Sequence, residues 1–588
     1  MVEQTGAERT GGTESLPLVQ PSHRIRLWPA GLLIALYWGI RVGDRVGFLP
    51  RFLNKSTTSV AIMTASGLLV WWLFFSRLRW PARFLGLFVL VVGGAAAIPL
   101  VHESLKSPLR GGVVLFAAPF VVMAALAWLL VARRATTKVR TAGLSAVVLA
   151  AWASFLLLRV VDGSGDLKWR WSPTAEQKYL AERTVSPPAP VSAIGPLVVG
   201  PSDWPQFRGP QRDNRVAGLR IETDWVKHPP KLMWKHRIGP AWSSFSVVDH
   251  VCFTQEQRGD DEATVCYHLD TGDEVWSRAD AARFWTAQSG AGPRATPTFQ
   301  DAQVYAMGAT GLLNCIDAAT GQLVWQRNLT KDAGVDVPDW GFAASPLVGD
   351  DKVIVFAGGG NGKGTVAYHT ADGEVAWFGG SGSHSFSSAQ LARINGVEQI
   401  LMAHDLGLDA LAPDDGKTLW HHDWNMDGYA RMVQPHVFGD DSVILASGYG
   451  NGSRMLKVSH GDDAWRAETV WTSKKLIPYY NDFVVYEDHA YGFDGNIFCC
   501  IDLKTGERRW KKGRYGNGQV LLLVEQGILL VLADDGTAIL VAAEPAELRE
   551  VSRFKALTGT TWNHPVVVRD KLLVRNAEEA ACYELTSQ

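Results

Sequence analysis

Cysteine is scarce in this chain, and the common catalytic and metal-binding motifs are missing. The 588 residues include six cysteines, none spaced as C-x-x-C, which excludes the usual cysteine-ligated zinc site. H-E-x-x-H and G-x-S-x-G do not occur, so neither a zincin helix nor a hydrolase nucleophile turn is predicted. The net charge of −2 gives no indication of a nucleic-acid partner. The sequence therefore predicts no catalytic constellation and no metal site.

Weaker patterns also favour structural interpretations. GGGNGKGT at 358–365 lacks the spacing of a phosphate-binding loop and is interpreted as a hairpin turn. Single histidines in a β-protein are usually satisfied polar residues at strand ends, and that interpretation is applied to all the scattered ones. They are His369, His384, His404, His421, His422, His436 and His564.

The last two-thirds of the chain contain a recurring phrase: a short apolar run, Asp, a two-residue spacer, Thr-Gly and then Trp. Asp and Gly suit a chain reversal between strands, and the Trp ring can fill the gap between neighbouring sheets. The aromatic residues that end successive copies are 39 to 52 residues apart, which fits four short strands and their turns. Copies of the phrase, some well preserved and others divergent, end at Trp234, Trp276, Trp325, Trp377, Trp420, Trp471, Trp510 and Phe554.

Eight copies predict an all-β propeller with eight four-stranded blades. Trp234 has no inner strands before it, whereas the chain's end supplies inner strands without an outer one. The two ends must therefore complete one blade and leave no free sheet edge.

These residues resemble the propellers built from pyrroloquinoline-quinone-type repeats. The likeness covers about residues 204 to 588 and includes DWPQFRGP, the D-x-x-TG-x-x-x-W turns and the closing WNHP. In that family, dehydrogenases carry long insertions that build the cofactor site, while the scaffold lipoprotein of outer-membrane assembly is compact. At roughly 48 residues per blade (385 over eight), this chain resembles the compact branch.

The first third differs in kind, because it contains nearly uncharged stretches of the length that crosses a bilayer as a helix. We expect a polar disordered tail at 1–22, a bundle of four or five transmembrane helices at 23–165, a Pro-rich linker at 166–203 and the propeller at 204–588. The expected spans are about 27–48, 58–76, 81–101, 110–132 and 141–161.

Loop charges predict the orientation of that bundle. The connections at 77–83 and 133–140 are rich in Arg and Lys, so the positive-inside rule assigns them to the cytoplasm. The propeller then lies on the far, periplasmic or extracytoplasmic, side of the cytoplasmic membrane.

Cys499 and Cys500 are the one pair with a functional parallel, since dehydrogenases of the resembled family carry a vicinal disulfide beside the cofactor. Here both residues fall within a predicted strand, where successive side chains point to opposite faces. We expect buried thiols.

The residues just before each innermost strand are the best candidates for a binding site, because they gather at one mouth of the channel. Nearly all are polar, and they either cap strand ends or bind a ligand or peptide, with Arg294 as a fixed cation and two Trp rings as apolar surfaces. The candidates are Ser244, Arg294, Thr296, Trp340, Ser345, Ser387, Gln434, Asn481, Gln519, Trp562, Asn563 and His564.

Three functions remain open. We expect a binding or scaffold module without catalysis or cofactor, whose partner is an envelope protein or a small ligand. The alternative is a membrane-bound quinoprotein dehydrogenase of alcohols or sugars, which would need pyrroloquinoline quinone and calcium. A second alternative is a ligand sensor.

Overall fold

In the structure, a computed structural model, the recurrent phrase forms the hairpin between the third and fourth strands of each sheet. In one copy, Asp317 accepts hydrogen bonds from the backbone N–H and hydroxyl of Thr320, and Gly321 adopts a φ of +72°. Turn chemistry thus sets the hairpin, as the sequence indicated. The described residues are 27–45, 57–76, 80–106, 112–160, 167–185, 194–426, 428–461 and 464–586.

The described residues of the C-terminal unit form eight blades around a central channel, each built on four antiparallel strands, which are consecutive in blades 1 to 7. Blades 1 to 4 are Ser246–Val248, Val251–Arg258, Asp261–His268, Glu274–Asp280; Thr298–Gln300, Gln303–Met307, Leu312–Asp317, Leu323–Asn328; Leu347–Gly349, Lys352–Gly359, Lys363–His369, Val375–Gly379; and Gln390–Ile394, Val397–Ala403, Gly407–Leu411, Thr418–Asp423. Blades 5 to 8 are His436–Phe438, Ser442–Ser447, Gly452–Gly461, Ala464–Ser473; Val484–Tyr486, His489–Asp494, Ile497–Asp502, Arg508–Lys511; Gln519–Leu523, Ile528–Leu532, Thr537–Ala542, Glu550–Lys555; and Val566–Val568, Lys571–Arg575, Glu579–Glu584, Lys231–Arg237.

Blade 8 joins the two ends of the propeller, as predicted. Its outer strand, Lys231–Arg237, pairs antiparallel with Glu579–Glu584, and Trp234 lies opposite Cys582. The eight-bladed, ring-closed fold is therefore confirmed.

The Trp of each outer strand lies between neighbouring blades. The Trp276 ring Nε1 donates to the Ala318 carbonyl of blade 2 at 2.9 Å, and Trp325 does the same to Thr370 of blade 3 at 2.8 Å. Five of the rings also lie against the turn glycine of the next blade, so the repeated phrase produces a repeated contact. They are those of Trp234, Trp276, Trp325, Trp377 and Trp471.

The N-terminal unit is helical, with a core between its helices that includes Trp152 packed against Gly93 and Gly94. Among the described residues, one helix, Trp80–Ala97, is long and apolar enough to cross a membrane, and the shorter apolar helical stretches are Trp28–Ile40 and Met63–Phe75. The expected four or five spans are thus not confirmed. The α-helices are Trp28–Arg45, Thr57–Val70 (continued by the π-helix Trp71–Phe75), Trp80–Ala97, Gly112–Val131 and Thr137–Phe155, and a hairpin pairs Leu158–Val160 with Leu167–Trp169.

Part of the region expected to be a linker folds with the propeller. The helix Ala175–Val185 belongs to the propeller unit, where Tyr179 donates to the buried Glu256 of blade 1 at 2.7 Å and Arg183 pairs with Glu274. Leu197 packs in the core shared by blades 1 and 2. The expected tail, 1–22, and the Pro-rich segment 186–193 lie outside the described residues.

Candidate functional site at one mouth of the channel

The predicted polar residues form a ring of hydrogen bonds that joins one blade to the next. The N–H of Ser244 donates to the Thr296 hydroxyl at 3.0 Å, and the N–H of Thr296 donates to the Ser345 hydroxyl at 2.9 Å. The series continues from Ser345 to the Ser388 hydroxyl at 2.8 Å and from the Ser388 N–H to Gln434 Oε1 at 2.6 Å. The backbone N–H groups in this series lie near the starts of the inner strands, and each finds its hydrogen-bond acceptor in the following blade.

Amide side chains complete the ring on its other half. Gln519 accepts from the Asp482 N–H at 3.1 Å and donates to the Trp562 carbonyl at 2.9 Å, which links blades 6, 7 and 8. Asn563 donates to the Ser243 carbonyl at 2.7 Å, and the Ser244 hydroxyl donates to the His564 carbonyl at 2.7 Å.

The remaining polar candidates are placed similarly. Ser387 donates to Gln434 Oε1 at 3.1 Å, and Asn481 accepts from the Tyr479 N–H at 2.9 Å. These side chains are buried. The structure thus brings the candidates together and gives them a structural role, and ligand binding by them stays a prediction.

Arg294 organises the mouth. Its guanidinium donates to the Trp340 carbonyl at 3.1 Å and the Ser289 hydroxyl at 2.8 Å, and lies 4.7 Å from the centroid of the Phe284 ring. These contacts hold together two blade connections, those before blades 2 and 3.

Aromatic residues occupy most of the connections that lead from one blade to the next. Because these connections all emerge on the face where the inner strands start, the rings surround a single mouth. Trp242 stacks on Trp562 at 4.7 Å, Trp562 contacts Tyr480 at 5.0 Å, and Trp340 stacks on Phe386 at 5.4 Å. We call the following set the aromatic collar: Trp242, Phe284, Trp285, Trp340, Phe386, Tyr429, Tyr479, Tyr480 and Trp562.

The opposite end of the channel is occupied by residues 203–216, which we call the plug. It begins at that far face, where Trp204 pairs with Val247, and leaves there through a two-residue parallel strand, Arg215–Val216, beside blade 7. Between these points it reaches the ring, where Arg212 donates to the carbonyls of Ser345 and Pro346 at 3.1 and 3.0 Å. Three non-glycine residues of the plug have positive φ, a conformation that is sterically unfavourable and is held here by the surrounding contacts: Arg208, Arg212 and Asn214.

A buried charge cluster ties the plug to the ring. Arg208 Nε lies 2.7 Å from Asp482 Oδ2, and His436 Nε2 lies 3.5 Å from the other oxygen. Although burial raises the pKa of Asp482, Arg208 and His436 lower it to about 2. Burial and Arg208 lower the pKa of the neighbouring His564 to about 4. One carboxylate thus compensates one arginine, and burial and Arg208 also lower the pKa of His436.

The adjacent cysteines and the Gly-rich stretch both lie within blades. Cys499 and Cys500 are free and buried, and they lie in different hydrophobic cores on opposite faces of one strand, as expected. The Gly-rich stretch is the hairpin turn between Lys352–Gly359 and Lys363–His369. Sequence reasoning missed the plug, and it missed that His404 and His421 meet across a blade with Asp409 between them.

Comparison with known proteins supports the repeat assignment. Residues 248–512 match the family model described as Outer membrane protein assembly factor BamB. Two curated proteins of that name are similar to this chain. The one from Burkholderia pseudomallei (strain K96243) is 28% identical over 243 residues, and the one from Yersinia pestis is 24% identical over 300 residues. The matches cover 40% and 45% of this chain and 59% and 70% of those proteins.

Two solved structures are also similar. BamB from Moraxella catarrhalis gives a TM-score of 0.44 at 14% identity and covers 60% of this chain and 99% of its own. A quinohemoprotein alcohol dehydrogenase from Comamonas testosteroni gives 0.45 at 13% identity and covers 65% and 80%.

The C-terminal unit is thus an eight-bladed propeller whose repeats are similar to those of the pyrroloquinoline-quinone-repeat type. Within that class, the similar proteins from Burkholderia pseudomallei and Yersinia pestis are both named outer membrane protein assembly factors.

Proposed function

We propose that the propeller is a binding or scaffold module that holds a partner at the aromatic collar and performs no catalysis. The observation that carries this proposal is the difference between the two ends of the channel. The plug fills the far end, whereas the mouth presents half-buried and exposed aromatic side chains. The ring of hydrogen bonds and Arg294 hold these side chains in position. Aromatic side chains supply large contact areas at low entropic cost, which suits protein recognition.

The partner that we propose is an envelope protein. The support comes from the similarity to proteins named outer membrane protein assembly factors, and from the absence of any recognised catalytic motif in the sequence. A small ligand at the same mouth is the second possibility that the collar accommodates.

We further propose that the helical unit anchors the chain in a membrane. Most of the large apolar side chains that are exposed among the described residues belong to this unit, including Phe88 at 63% and Phe74 at 64%. Such a surface is unfavourable in water and is suited to lipid. Trp169 and Trp171 stack at 5.2 Å beside Arg170 after the last helix, a composition typical of a membrane interface.

The charges of the helix connections support one orientation. The segments 77–83 and 133–140 carry seven Arg and Lys, against two in 102–110, so we assign them to the cytoplasm and the propeller to the extracytoplasmic side. The four basic residues of 41–57 argue against a fifth span and do not affect the side of the propeller. This proposal puts the chain in the cytoplasmic membrane.

The dehydrogenase alternative has less support. A vicinal disulfide beside a quinone cannot form from Cys499 and Cys500, because their side chains point into different cores. The residues present therefore do not fit that part of a quinone site.

Site-specific photo-crosslinking tests the proposal. A benzoylphenylalanine at Trp340 or Tyr429, both in the collar, should give adducts with an envelope protein in intact cells. The control is the same residue at Val397, which lies at the far face of blade 4 and is 38% exposed. Equal adducts from both faces, or adducts from Val397 alone, would contradict a binding site at the mouth.

A further inference from the structure

Three side chains that are distant in sequence meet on blade 4. His404 follows the second strand, Asp409 lies on the third strand and His421 lies on the fourth. His404 Nε2 is 3.2 Å from one oxygen of the Asp409 carboxylate, and His421 Nδ1 is 2.6 Å from the other. One nitrogen or oxygen atom from each residue lies within 4.8 Å of the other two. Two imidazoles and one carboxylate thus converge on one small volume.

We propose that this cluster binds a first-row divalent cation such as Zn²⁺, with His404 Nε2, Asp409 and His421 Nδ1 as the protein ligands. Imidazole nitrogen and carboxylate oxygen are the donors that Zn²⁺ takes in sites with three protein ligands, where the fourth position holds water or another group. The donor set has no thiolate, and imidazole also suits copper, iron and nickel. The site lies in blade 4 and shares no residue with the collar or the plug.

The surroundings provide the second layer of contacts that metal-binding histidines usually have. His421 Nε2 lies 3.1 Å from Asp423 Oδ1, so the ring nitrogen that faces away from the cluster has a carboxylate acceptor. Asp409 is oriented by the Ser381 hydroxyl, which donates to it at 2.9 Å. A rotation of either carboxylate or ring away from the cluster would break these bonds.

Metal binding requires a change of tautomer in both rings. In the metal-free arrangement the ring N–H groups of His404 and His421 donate to Asp409, and a cation would replace those protons. The proton of His421 then sits on Nε2 and donates to Asp423. The proton of His404 moves to Nδ1, which lies 3.9 Å from Asp405 Oδ1. The N–H of Leu406 points at the same Nδ1 from 3.3 Å, so the 404–406 turn must shift as the cation binds.

Solvent reaches the cluster through one ligand. His404 and Asp409 are buried, whereas the His421 side chain is 30% exposed and the neighbouring Asp423 is almost fully exposed. A cation can therefore enter past His421 without opening the blade.

Calorimetric titration of the EDTA-treated full chain in detergent with ZnCl₂ tests the proposal. We expect one saturable site per chain, which His421→Gln abolishes. The matched control is His422→Gln, because His422 is on the same strand but faces Ala467 and Arg454. Co²⁺ added to the same proteins should give d–d absorption bands in the wild type and in His422→Gln, and none in His421→Gln.

Asp409→Asn, which keeps the shape of the buried group, should also lose the site. If that variant fails to fold by circular dichroism, His421→Gln decides the question, because His421 is partly exposed. The proposal is overturned if the wild type takes up no cation, or if His421→Gln binds Zn²⁺ as the wild type does. In either case the cluster is a hydrogen-bonded triad alone.

Discussion

Trp276 of blade 1 lies on Gly321 of blade 2, and an added Cβ at that glycine would sit 2.8 Å from Trp276 Cδ2. The same relationship joins Trp234 to Gly272, Trp325 to Gly373, Trp377 to Gly416 and Trp471 to Gly506. The two best-preserved residues of the repeated phrase are therefore partners in space, but across blades. This explains why Thr-Gly and Trp recur together, since the glycine of each turn leaves the room that the preceding Trp fills.

Gly321→Ala should lower the free energy of unfolding of the propeller by about 1–3 kcal/mol, the usual cost of an overpacked contact. Gly396→Ala is the matched control. Gly396 also has positive φ (+77°, against +72° for Gly321), but its Cβ would meet no atom within 4 Å. The backbone strain is then shared by both variants, and the extra loss in Gly321→Ala reports the contact with Trp276. Equal losses in urea-induced unfolding would mean that the contact contributes nothing.

The ion pair between Arg208 and Asp482 should be essential to the plug because both groups are buried. Asp482→Asn leaves an uncompensated guanidinium in the channel and should destabilise the propeller by about 3–5 kcal/mol. The double variant Arg208→Met with Asp482→Asn removes both charges and should recover much of that loss. A double-mutant cycle on the thermal midpoint measures this coupling, and additive losses would argue against the pair.

Protonation of His564 should weaken the propeller between pH 6.5 and 4, and a variant is needed to isolate the effect because buried Glu262, with a pKa raised to about 7, has the opposite dependence. Burial holds the pKa of His564 at about 4 in the folded chain, against 6.5 for an ordinary histidine. Between these values the unfolded chain binds more protons at this residue, so its contribution to the free energy of unfolding falls as the pH falls. Melting curves of the wild type and of His564→Gln across this range check the effect. The variant should lose this contribution, and an unchanged dependence on pH would contradict the role assigned to His564.

Oxidoreductase activity should be absent. Because the Cys499 and Cys500 thiols cannot form the disulfide of a quinone site, we expect the purified chain to carry no quinone. We also expect no dye reduction with alcohols or sugars after addition of pyrroloquinoline quinone and Ca²⁺. Stoichiometric bound quinone, or dye reduction that depends on it, would favour the dehydrogenase alternative.

The sequence was sufficient for the propeller because its information is local and repeated. The turn contacts of Asp317 and Gly321 are made within a few residues, and Trp325 recurs at a fixed period. The number of blades and the closure between Trp234 and Cys582 therefore followed from the pattern. The positions before the inner strands could also be predicted, because strand order puts them at one mouth.

Features that depend on contacts between distant segments could not be predicted in this way. The plug looks like ordinary loop sequence, and only the fold shows that Arg208 meets Asp482, 274 residues later. His404, Asp409 and His421 follow no helical spacing, and they converge because neighbouring strands of one blade lie side by side. The helix at Ala175–Val185 was missed because its contacts with blade 1 are ion pairs and hydrogen bonds, which leave no apolar periodicity.

The most direct test of the central claim is the affinity of the crosslinked partner for three purified chains. The Trp340→Ala and Tyr429→Ala double variant should bind at least about tenfold more weakly than the wild type, the loss expected for aromatic residues that contribute about 1.4 kcal/mol or more. Val397→Ala, on the far face, should bind as tightly as the wild type. If the far-face variant loses affinity while the collar variant keeps it, the partner does not bind at the mouth and the account is wrong.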